Sequence, residues 1–122
     1  MNFTITGQVS AGKNNIQVTR QGRRYPNPSF QKWAKDAIRQ VHSQRKGQSG
    51  TLTDNWLAIA IIYTPGDRRI RDAPSIIDAV FHVLEKCEVV KNDKQFAAVM
   101  YYKTEVCRLG PRVKIDLRPM PK

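Results

Sequence analysis

The sequence predicts one α+β domain, and three features lead to this prediction. The chain of 122 residues has the length of one ordinary domain. Hydrophobic residues make up 40% and charged residues 25%, a composition typical of globular rather than disordered or fibrous proteins. Strand-like alternation occurs near both ends, and two amphipathic helical stretches lie between them. We therefore expect residues 1–122 to form a single small domain, in which a mixed sheet of about four to five strands packs with two main helices.

Five segments have the pattern of β-strands. Residues 2–9 and 112–118 alternate apolar and polar side chains, which is typical of half-buried strands. Residues 16–20 form a shorter candidate strand that leads into a basic, glycine-containing loop. Residues 52–64 include a long apolar run, for which we predict a central strand buried on both faces. Residues 97–105 complete the predicted set.

The first predicted helix has the clearest start in the chain. Asn27 is suited to the N-cap, and Pro28 is tolerated in the first turn that follows it. We expect this helix to end near Gln44. Its apolar side chains recur at helical spacing and comprise Phe30, Trp33, Ala34, Ala37, Ile38 and Val41.

The second predicted helix covers residues 72–87. Asp72 is suited to capping it, and Pro74 falls in its first turn. One face is apolar and contains Ile76, Ile77, Val80, Phe81, Val83, Leu84 and Cys87. The opposite stripe contains Ser75, Asp78, His82 and Glu85.

The sequence also limits the cellular setting. Cys87 and Cys107 are too few for a four-cysteine zinc site, so we interpret both as reduced, buried thiols. No stretch approaches the roughly 18 apolar residues of a membrane-spanning helix, and Met1–Ser10 lacks the pattern of a signal peptide. We expect a cytoplasmic protein with no membrane partner and no small-molecule cofactor.

The charge distribution points to a polyanionic partner. Lys and Arg number 21 against 10 Asp and Glu, which gives a formal net charge of +11. The first 50 residues contain a single acid, Asp36, whereas six of the ten acids fall between Asp67 and Asp93. Carboxylates repel phosphates, so this cluster needs an explanation of its own. It is either a solvated, salt-bridged helix face or a divalent-metal site within a basic DNA-binding surface.

Two stretches of the chain resemble one protein family. The first contains Lys-Asn-Asn at 13–15, a basic glycine-containing segment at 20–25, and a helix start that includes Trp33. The second contains an Arg-rich run at 67–72, a helix, and Asn-Asp-Lys-Gln at 92–95. Both are similar to RusA-type Holliday junction resolvases, which are small phage and prophage nucleases that act on four-way DNA junctions. The resemblance covers most of the chain and implies a RusA-like fold and a homodimer.

Position by position, the resemblance keeps two of the family's acidic residues, Asp72 and Asp93. The remaining motif positions carry other residue types in this chain. Pro74, His82 and Asn92 stand where the family has aspartates, Ser75 stands in place of an asparagine, and Asp78 in place of a lysine.

The resemblance implies a Mg²⁺-dependent nuclease, with Mn²⁺ as a substitute metal. We expect Asp72, Asp78 and Asp93 to be the catalytic carboxylates that hold one or two Mg²⁺, with Asp78 supplying the carboxylate that Pro74 lacks. A helix turns about 100° per residue, so Asp78 and His82 share one stripe with Asp72 at its start. Such a site lowers the pKa of a bound water and clamps the scissile phosphate.

Two further residues are weaker candidates for metal ligands. His82 occupies an acidic position of the motif, but a lone helix histidine is also an ordinary polar neighbour. Asn92 offers an amide oxygen, but Asn before Asp is also common turn chemistry. We expect Asp67 to pair with neighbouring arginines rather than to bind metal.

Many basic and amide side chains are predicted to contact DNA phosphates. From the resemblance and the Arg-rich run we select Lys13, Asn14, Asn15, Arg20, Arg23, Arg24, Arg68, Arg69, Arg71, Lys91 and Lys94. The polar side of the first helix adds Lys32, Lys35, Arg39, Arg45 and Lys46 as a group.

The sequence therefore favours a dimeric, Mg²⁺-dependent, structure-selective endodeoxyribonuclease that cleaves four-way junctions by paired phosphodiester hydrolysis. Two nicks in opposed strands need two active sites, which agrees with a symmetric dimer. One alternative is a protein on the same fold that binds branched DNA and cleaves it weakly or not at all. A second alternative is a basic RNA-binding protein.

Overall fold

The structure is a computed structural model that describes residues 1–10, 16–46 and 56–120. It is an α+β domain whose main sheet has the strand order β1-β6-β4-β5, with a separate ribbon of β2 and β3. The elements are β1 (Asn2–Thr6), β2 (Ile16–Val18), β3 (Arg24–Pro26), α1 (Pro28–Arg45), β4 (Trp56–Thr64), α2 (Ala73–Lys86), a 3₁₀ turn (Asp93–Gln95), β5 (Phe96–Lys103) and β6 (Arg112–Met120). The predicted fold class, a mixed sheet with two main helices, is confirmed.

The main sheet is mixed because one connection crosses over. β4 and β5 are parallel and are joined through α2, whereas β6 lies antiparallel to both β4 and β1. A parallel pair needs such a crossover, since its second strand must begin where the first began. α2 therefore runs back along the sheet, and its C-terminal half reaches the start of β5, where the rings of Phe81 and Phe96 stack with centroids 4.4 Å apart.

Both helices begin where the sequence predicts. The side chain of Asn27 caps α1 by accepting a hydrogen bond from the backbone N–H of Ser29 at 2.9 Å. Asp72 occupies the N-cap position of α2, but its side chain makes no capping hydrogen bond. Asp72 therefore has the predicted position at the N-cap, but the predicted capping by its side chain is wrong.

The central strand is not buried on both faces as predicted. Leu57, Ile59 and Ile61 are buried, but Trp56 is 51% and Ile62 41% exposed on the other face. Both helices lie against one face of the sheet, so the alternate side chains of β4 remain uncovered. Residues 52–55 of the predicted strand lie outside the described residues.

The remaining strand boundaries differ modestly from the prediction. β1 ends at Thr6 rather than Val9 because Gly7 adopts φ +102° and turns the chain. β2 ends at Val18, and the loop predicted after it contains a strand, β3, that pairs with β2. Gly22, at φ +80°, allows the tight turn between them.

The core lies between the helices and the covered face of the sheet. It contains the predicted apolar positions of both helices together with alternate residues of β1, β4 and β6. Cys87 belongs to this core, and burial raises the pKa of its thiol to about 11. Both cysteines are free thiols, as predicted, but the predicted burial is wrong for Cys107, which is only partly buried. Within the described ranges, no helix is both long and apolar enough to cross a membrane.

The two edges of the main sheet are built differently. At β1, the side chains of Gln40 and Gln44 from α1 bond the outward-facing backbone. The N–H groups of Thr4 and Thr6 each donate to a glutamine Oε1 at 2.8 Å, and both glutamine Nε2 groups donate back to the carbonyls of Thr4 and Thr6 at 2.6 and 3.1 Å. Two glutamines one helical turn apart thus act as a substitute for a neighbouring strand. At the other edge, six of the eight residues of β5 are exposed.

Candidate nucleic-acid interface

A groove runs along one end of the domain, between the N-terminal half of α1 and the loop from β4 to α2. We call it the basic groove. It consists of two adjoining cavities of about 750 and 400 Å³, which share Gln8 and Ser10. The larger cavity is lined on the α1 side by Ser29, Lys32, Trp33, Lys35, Asp36 and Arg39, and the smaller on the loop side by Asp67, Arg69, Ile70 and Arg71.

The floor of the basic groove is held by Gln8, just beyond β1. Its Oε1 accepts a hydrogen bond from the backbone N–H of Gly66 at 2.6 Å, and its Nε2 donates to the hydroxyl of Tyr63 at 2.6 Å. A side chain at Gly66 would meet Pro111 at 3.0 Å, so glycine is needed for this close approach. Gln8 thereby joins the end of β1 to the end of β4 and to the start of the loop wall.

The α1 wall carries more positive than negative charge. Its single acid, Asp36, forms an ion pair with Arg39 and accepts a hydrogen bond from Gln40 at 2.9 Å. The hydrogen bonds from Gln40 and then from Arg39 lower the pKa of Asp36. Lys32 and Lys35 are exposed and form no ion pair with a described carboxylate. The first turn of α1 contains no acid, so the positive end of the helix dipole adds to the charge of these lysines.

The loop wall contains a tight acid–base pair. Both guanidinium nitrogens of Arg71 donate to Asp67, at 2.8 and 3.2 Å, and the backbone N–H of Arg69 adds a third bond at 3.0 Å. The hydrogen bonds from Arg71 and then from Arg69 lower the pKa of Asp67 to about 2. The predicted pairing of Asp67 is confirmed. Arg71, predicted to contact phosphate, is instead engaged by Asp67 with its side chain only 14% exposed, while Arg68 and Arg69 remain exposed.

The predicted N-terminal contacts lie partly outside the described residues. Arg20, Arg23 and Arg24 are exposed around the turn between β2 and β3. The hydroxyl of Thr19 accepts the backbone N–H of Arg23 at 3.0 Å, which shapes this turn. Lys13, Asn14 and Asn15 fall outside the described ranges. Lys91 and Lys94 are exposed near the 3₁₀ turn, at the opposite end of α2 from Arg68 and Arg69.

The predicted metal ligands are not brought together within one chain. Asp72 is the N-cap of α2, whereas the backbone N–H of Asp93 donates to Glu85 Oε1 in the last turn, at 2.9 Å. These two positions are about 20 Å apart along the axis, at 1.5 Å per residue. Among residues 1–10, 16–46 and 56–120, no three His, Cys, Asp or Glu side chains are grouped to hold a metal ion. Asp72, Asp78 and Asp93 therefore do not form the expected three-carboxylate Mg²⁺ site in a single chain.

The two weaker ligand candidates have structural partners. His82 is half-buried against α1, with its ring edge-on to Phe30 at a centroid distance of 5.1 Å. Asn92 caps the 3₁₀ turn, because its Oδ1 accepts the backbone N–H of Lys94 at 2.8 Å. Gln95 completes a capping box by accepting from the backbone at Asn92. For both residues, the geometry fits packing or turn formation rather than metal binding.

Several residues that shape the site were not among the predicted ones. Gln8 and Tyr63 build the floor of the groove, and Glu85 holds the backbone of Asp93. The bond between Gln8 and Tyr63 joins residues 55 positions apart and therefore leaves no spacing signal in the sequence. Lys32, Lys35 and Arg39 were recognisable as the polar side of α1.

Comparisons with known proteins give no further guide to function. No protein-family model matches this chain, and a search of curated proteins finds no match. The geometry of the basic groove and the resemblance of the two sequence stretches are therefore the grounds for a functional proposal.

Proposed function

We propose that this protein binds branched DNA, with the four-way junction as its preferred form, through the basic groove. One observation carries the proposal: each acid in the groove is paired with its own arginine, so Lys32, Lys35 and Arg69 leave an excess of positive charge. Such cations attract a polyanion and release its counterions on binding.

DNA is favoured over other polyanions by the resemblance to junction resolvases. The stretch that carries the first part of that resemblance includes Arg20, Arg23 and Arg24, and all three are exposed. The turn of the ribbon, with its three arginines, is a second exposed cationic surface. A junction offers phosphate backbones in several directions, so separated cationic surfaces favour it over a single duplex.

We also propose that the protein acts as a homodimer. A four-way junction has two-fold symmetry, and a dimer with the same symmetry contacts opposed arms with equivalent surfaces. The dimer doubles the number of phosphate contacts and raises the affinity through effective concentration.

Metal-dependent cleavage of the junction is a second candidate activity. It is supported by the resemblance and by Asp72, whose exposed carboxylate is not used to cap α2 and follows directly on the arginine run. Mg²⁺ commonly binds to one or two carboxylates together with phosphate oxygens. The acids of one chain do not fit the three-carboxylate site, so we derive no hydrolytic step from them.

The binding proposal is tested by titrating labelled four-way junction, linear duplex and double-stranded RNA of equal length. We expect the junction to bind at least about tenfold more tightly than the duplex, with affinity falling steeply as salt rises. Equal affinity for all three, or preference for RNA, would contradict branched DNA as the ligand. A shallow salt dependence would contradict the role of the groove cations.

Cleavage is tested with the same junction in the presence of Mg²⁺ or Mn²⁺. Asp72→Asn and Asp93→Asn should each abolish cleavage while binding persists, because the carboxylates would act on metal rather than on DNA. Asp116→Asn is the matched control, since Asp116 lies on β6 and pairs with Arg118 at 2.9 Å. If the unaltered protein binds junctions and cuts none with either metal, it is a binding protein alone.

A further inference from the structure

One fully exposed aliphatic side chain stands at the basic groove. Ile70 lies in the loop from β4 to α2, lines the smaller cavity and is 98% exposed. It is also the only uncharged residue in the run 67–72. A single exposed aliphatic residue is ordinary on a protein surface and needs no function. Ile70 differs from such residues because it lies among arginines on the wall of a cationic groove.

The loop around Ile70 is closed by the carboxylate of Asp67. Its Oδ1 accepts the backbone N–H of Arg69 at 3.0 Å, and its two oxygens accept from the guanidinium of Arg71 at 2.8 and 3.2 Å. The backbone before Ile70 and the side chain after it are thus bound to one group. Because both neighbours are drawn to Asp67, the side chain of Ile70 is left in solvent.

The same loop is fixed to the rest of the domain near both ends. The backbone N–H of Gly66 donates to Gln8 at 2.6 Å, and the carbonyl of Pro65 accepts the N–H of Cys107 at 2.8 Å. At its other end the loop runs into Asp72, the N-cap of α2. A side chain held on such a loop is placed before a ligand arrives, which lowers the entropic cost of binding.

The charges beside Ile70 favour DNA as the molecule that covers it. Arg68 and Arg69 are exposed and form no ion pair with a described carboxylate. The exposed acid Asp72 follows on the other side of Ile70, so we expect phosphates beside the two arginines. Phosphates gain nothing from an aliphatic neighbour, whereas the faces of bases do. The loop therefore suits a ligand with anionic and flat apolar parts close together.

We propose that Ile70 is an apolar wedge that inserts between bases at the branch point of the DNA. Isoleucine is among the side chains that DNA-bending proteins insert between base steps. Unstacking costs least where the bases are already disturbed, and stacking is interrupted where the arms of a junction meet. Ile70 therefore favours branched over linear DNA, which phosphate contacts alone do not distinguish. This deepens the proposed function, on which it rests, by naming the residue that recognises the branch.

The test uses 2-aminopurine, a base analogue whose fluorescence rises when it is unstacked, at the branch point of a four-way junction. A linear duplex with the same analogue is titrated beside it. Saturation with the unaltered protein should raise the emission of the junction at least about twofold and leave that of the duplex unchanged. Ile70→Ser should abolish this rise and weaken junction binding at least about tenfold, with duplex binding nearly unchanged.

Three further variants separate insertion from other effects. Leu109→Ser is the matched control, because Leu109 is 101% exposed and lies outside both cavities. Ile70→Leu keeps an aliphatic side chain and should keep the rise in emission. Ile70→Lys adds a phosphate contact, so it should strengthen duplex binding while still abolishing the rise. Circular dichroism checks that each variant is folded, which the full exposure of Ile70 leads us to expect.

A junction that is bound without a rise in emission would overturn the wedge and leave branched-DNA binding standing. The same holds for a folded Ile70→Ser variant that keeps both the rise and the junction affinity. An equal loss in Leu109→Ser would assign the effect to surface apolarity in general and would also overturn the proposal. Failure of the proposed function looks different, since the unaltered protein would then bind junction and duplex equally.

Discussion

The two edges of the main sheet differ in the hydrogen bonding of their outward backbone and in the surface beside them. At β1, Gln40 and Gln44 bond the outward backbone, and the same helix carries Lys32 and Lys35 into the basic groove. At β5 no comparable pair of glutamines is seen among the described residues, and the apolar side chains of Val99, Met100 and Tyr102 are exposed. The edge beside the basic groove is closed by the protein's own side chains. Helix α1 therefore both covers an edge of the sheet and supplies cations to the groove.

The largest expected effect is a loss of DNA affinity when the lysines of the basic groove are replaced. The double variant Lys32→Glu/Lys35→Glu removes two phosphate contacts and adds repulsion, so junction affinity should fall about a hundredfold. The slope of log affinity against log salt should also decrease by about 2. The circular dichroism spectrum should be unchanged, because both lysines are exposed.

Fluorescence anisotropy at several salt concentrations measures both quantities. Lys86→Glu/Lys114→Glu is the control with the same change of net charge, since both lysines are exposed outside the groove. An equal loss of affinity in this control would mean that only the overall charge matters. In that case the groove would have no special role.

The hydrogen bonds that cover the β1 edge can be removed by substituting its two glutamines. Gln40→Ala/Gln44→Ala removes the side-chain bonds to the backbone of Thr4 and Thr6 and should lower the free energy of unfolding by about 2 kcal/mol. It should also make the protein prone to aggregate, because the β1 edge becomes available. Urea unfolding and light scattering measure the two effects. Gln31→Ala, an exposed change on the same helix, should alter neither; equal destabilisation there would point to helix propensity instead.

A smaller effect is expected within β5. The hydroxyl of Tyr101 is buried and has no hydrogen-bond partner among the described residues, and burial raises the pKa of Tyr101. Tyr101→Phe removes an unsatisfied polar group and should raise the free energy of unfolding by about 1 kcal/mol. Tyr102→Phe, at the exposed neighbour, should leave stability unchanged. A loss of stability in Tyr101→Phe would show that the hydroxyl has a partner in solution.

The smallest expected effect concerns pH at the groove. The pKa of Asp67 is lowered from 3.8 to about 2, so its ionised form stabilises the fold at neutral pH. This stabilisation should be lost as the pH falls through 4 towards about 2. The difference in unfolding free energy between the unaltered protein and Asp67→Asn should therefore shrink over that interval. A difference that stays constant with pH would contradict the Asp67–Arg71 pair.

Most of the fold could be predicted from the sequence because its signals are local. The cap at Asn27 and the apolar spacing of both helices are set within a few residues of each other. The exposed face of β4 could not be predicted in this way. A run such as Trp56 to Thr64 has similar composition whether helices cover one face of the sheet or both. Which face is covered depends on how α1 and α2 are placed, and that is a tertiary property.

The exposed cations of the candidate site could be predicted from the sequence, but the arrangement of its acids in space could not. The exposed positions of Lys32, Arg68 and Arg69 follow from their charge. Asp72 and Asp93 were expected to meet because of their place in a motif, yet an intact helix of 14 residues keeps them apart in one chain. Spacing in sequence does not by itself show whether two residues meet within a chain or across a pair of chains.

The pairing of β1 with β6 has a consequence for the order of folding. The amino group of Met1 donates to the carbonyl of Leu117, a contact between residues separated by 116 positions. β6 is also the strand that joins β1 to β4, so neither neighbour can take its final place before β6 has been synthesised. Contacts so distant in the chain slow the search for the native topology. During translation β1 must therefore wait beside an incomplete sheet, because the glutamines of α1 bond only its outward edge and leave the edge that pairs with β6 open until β6 arrives.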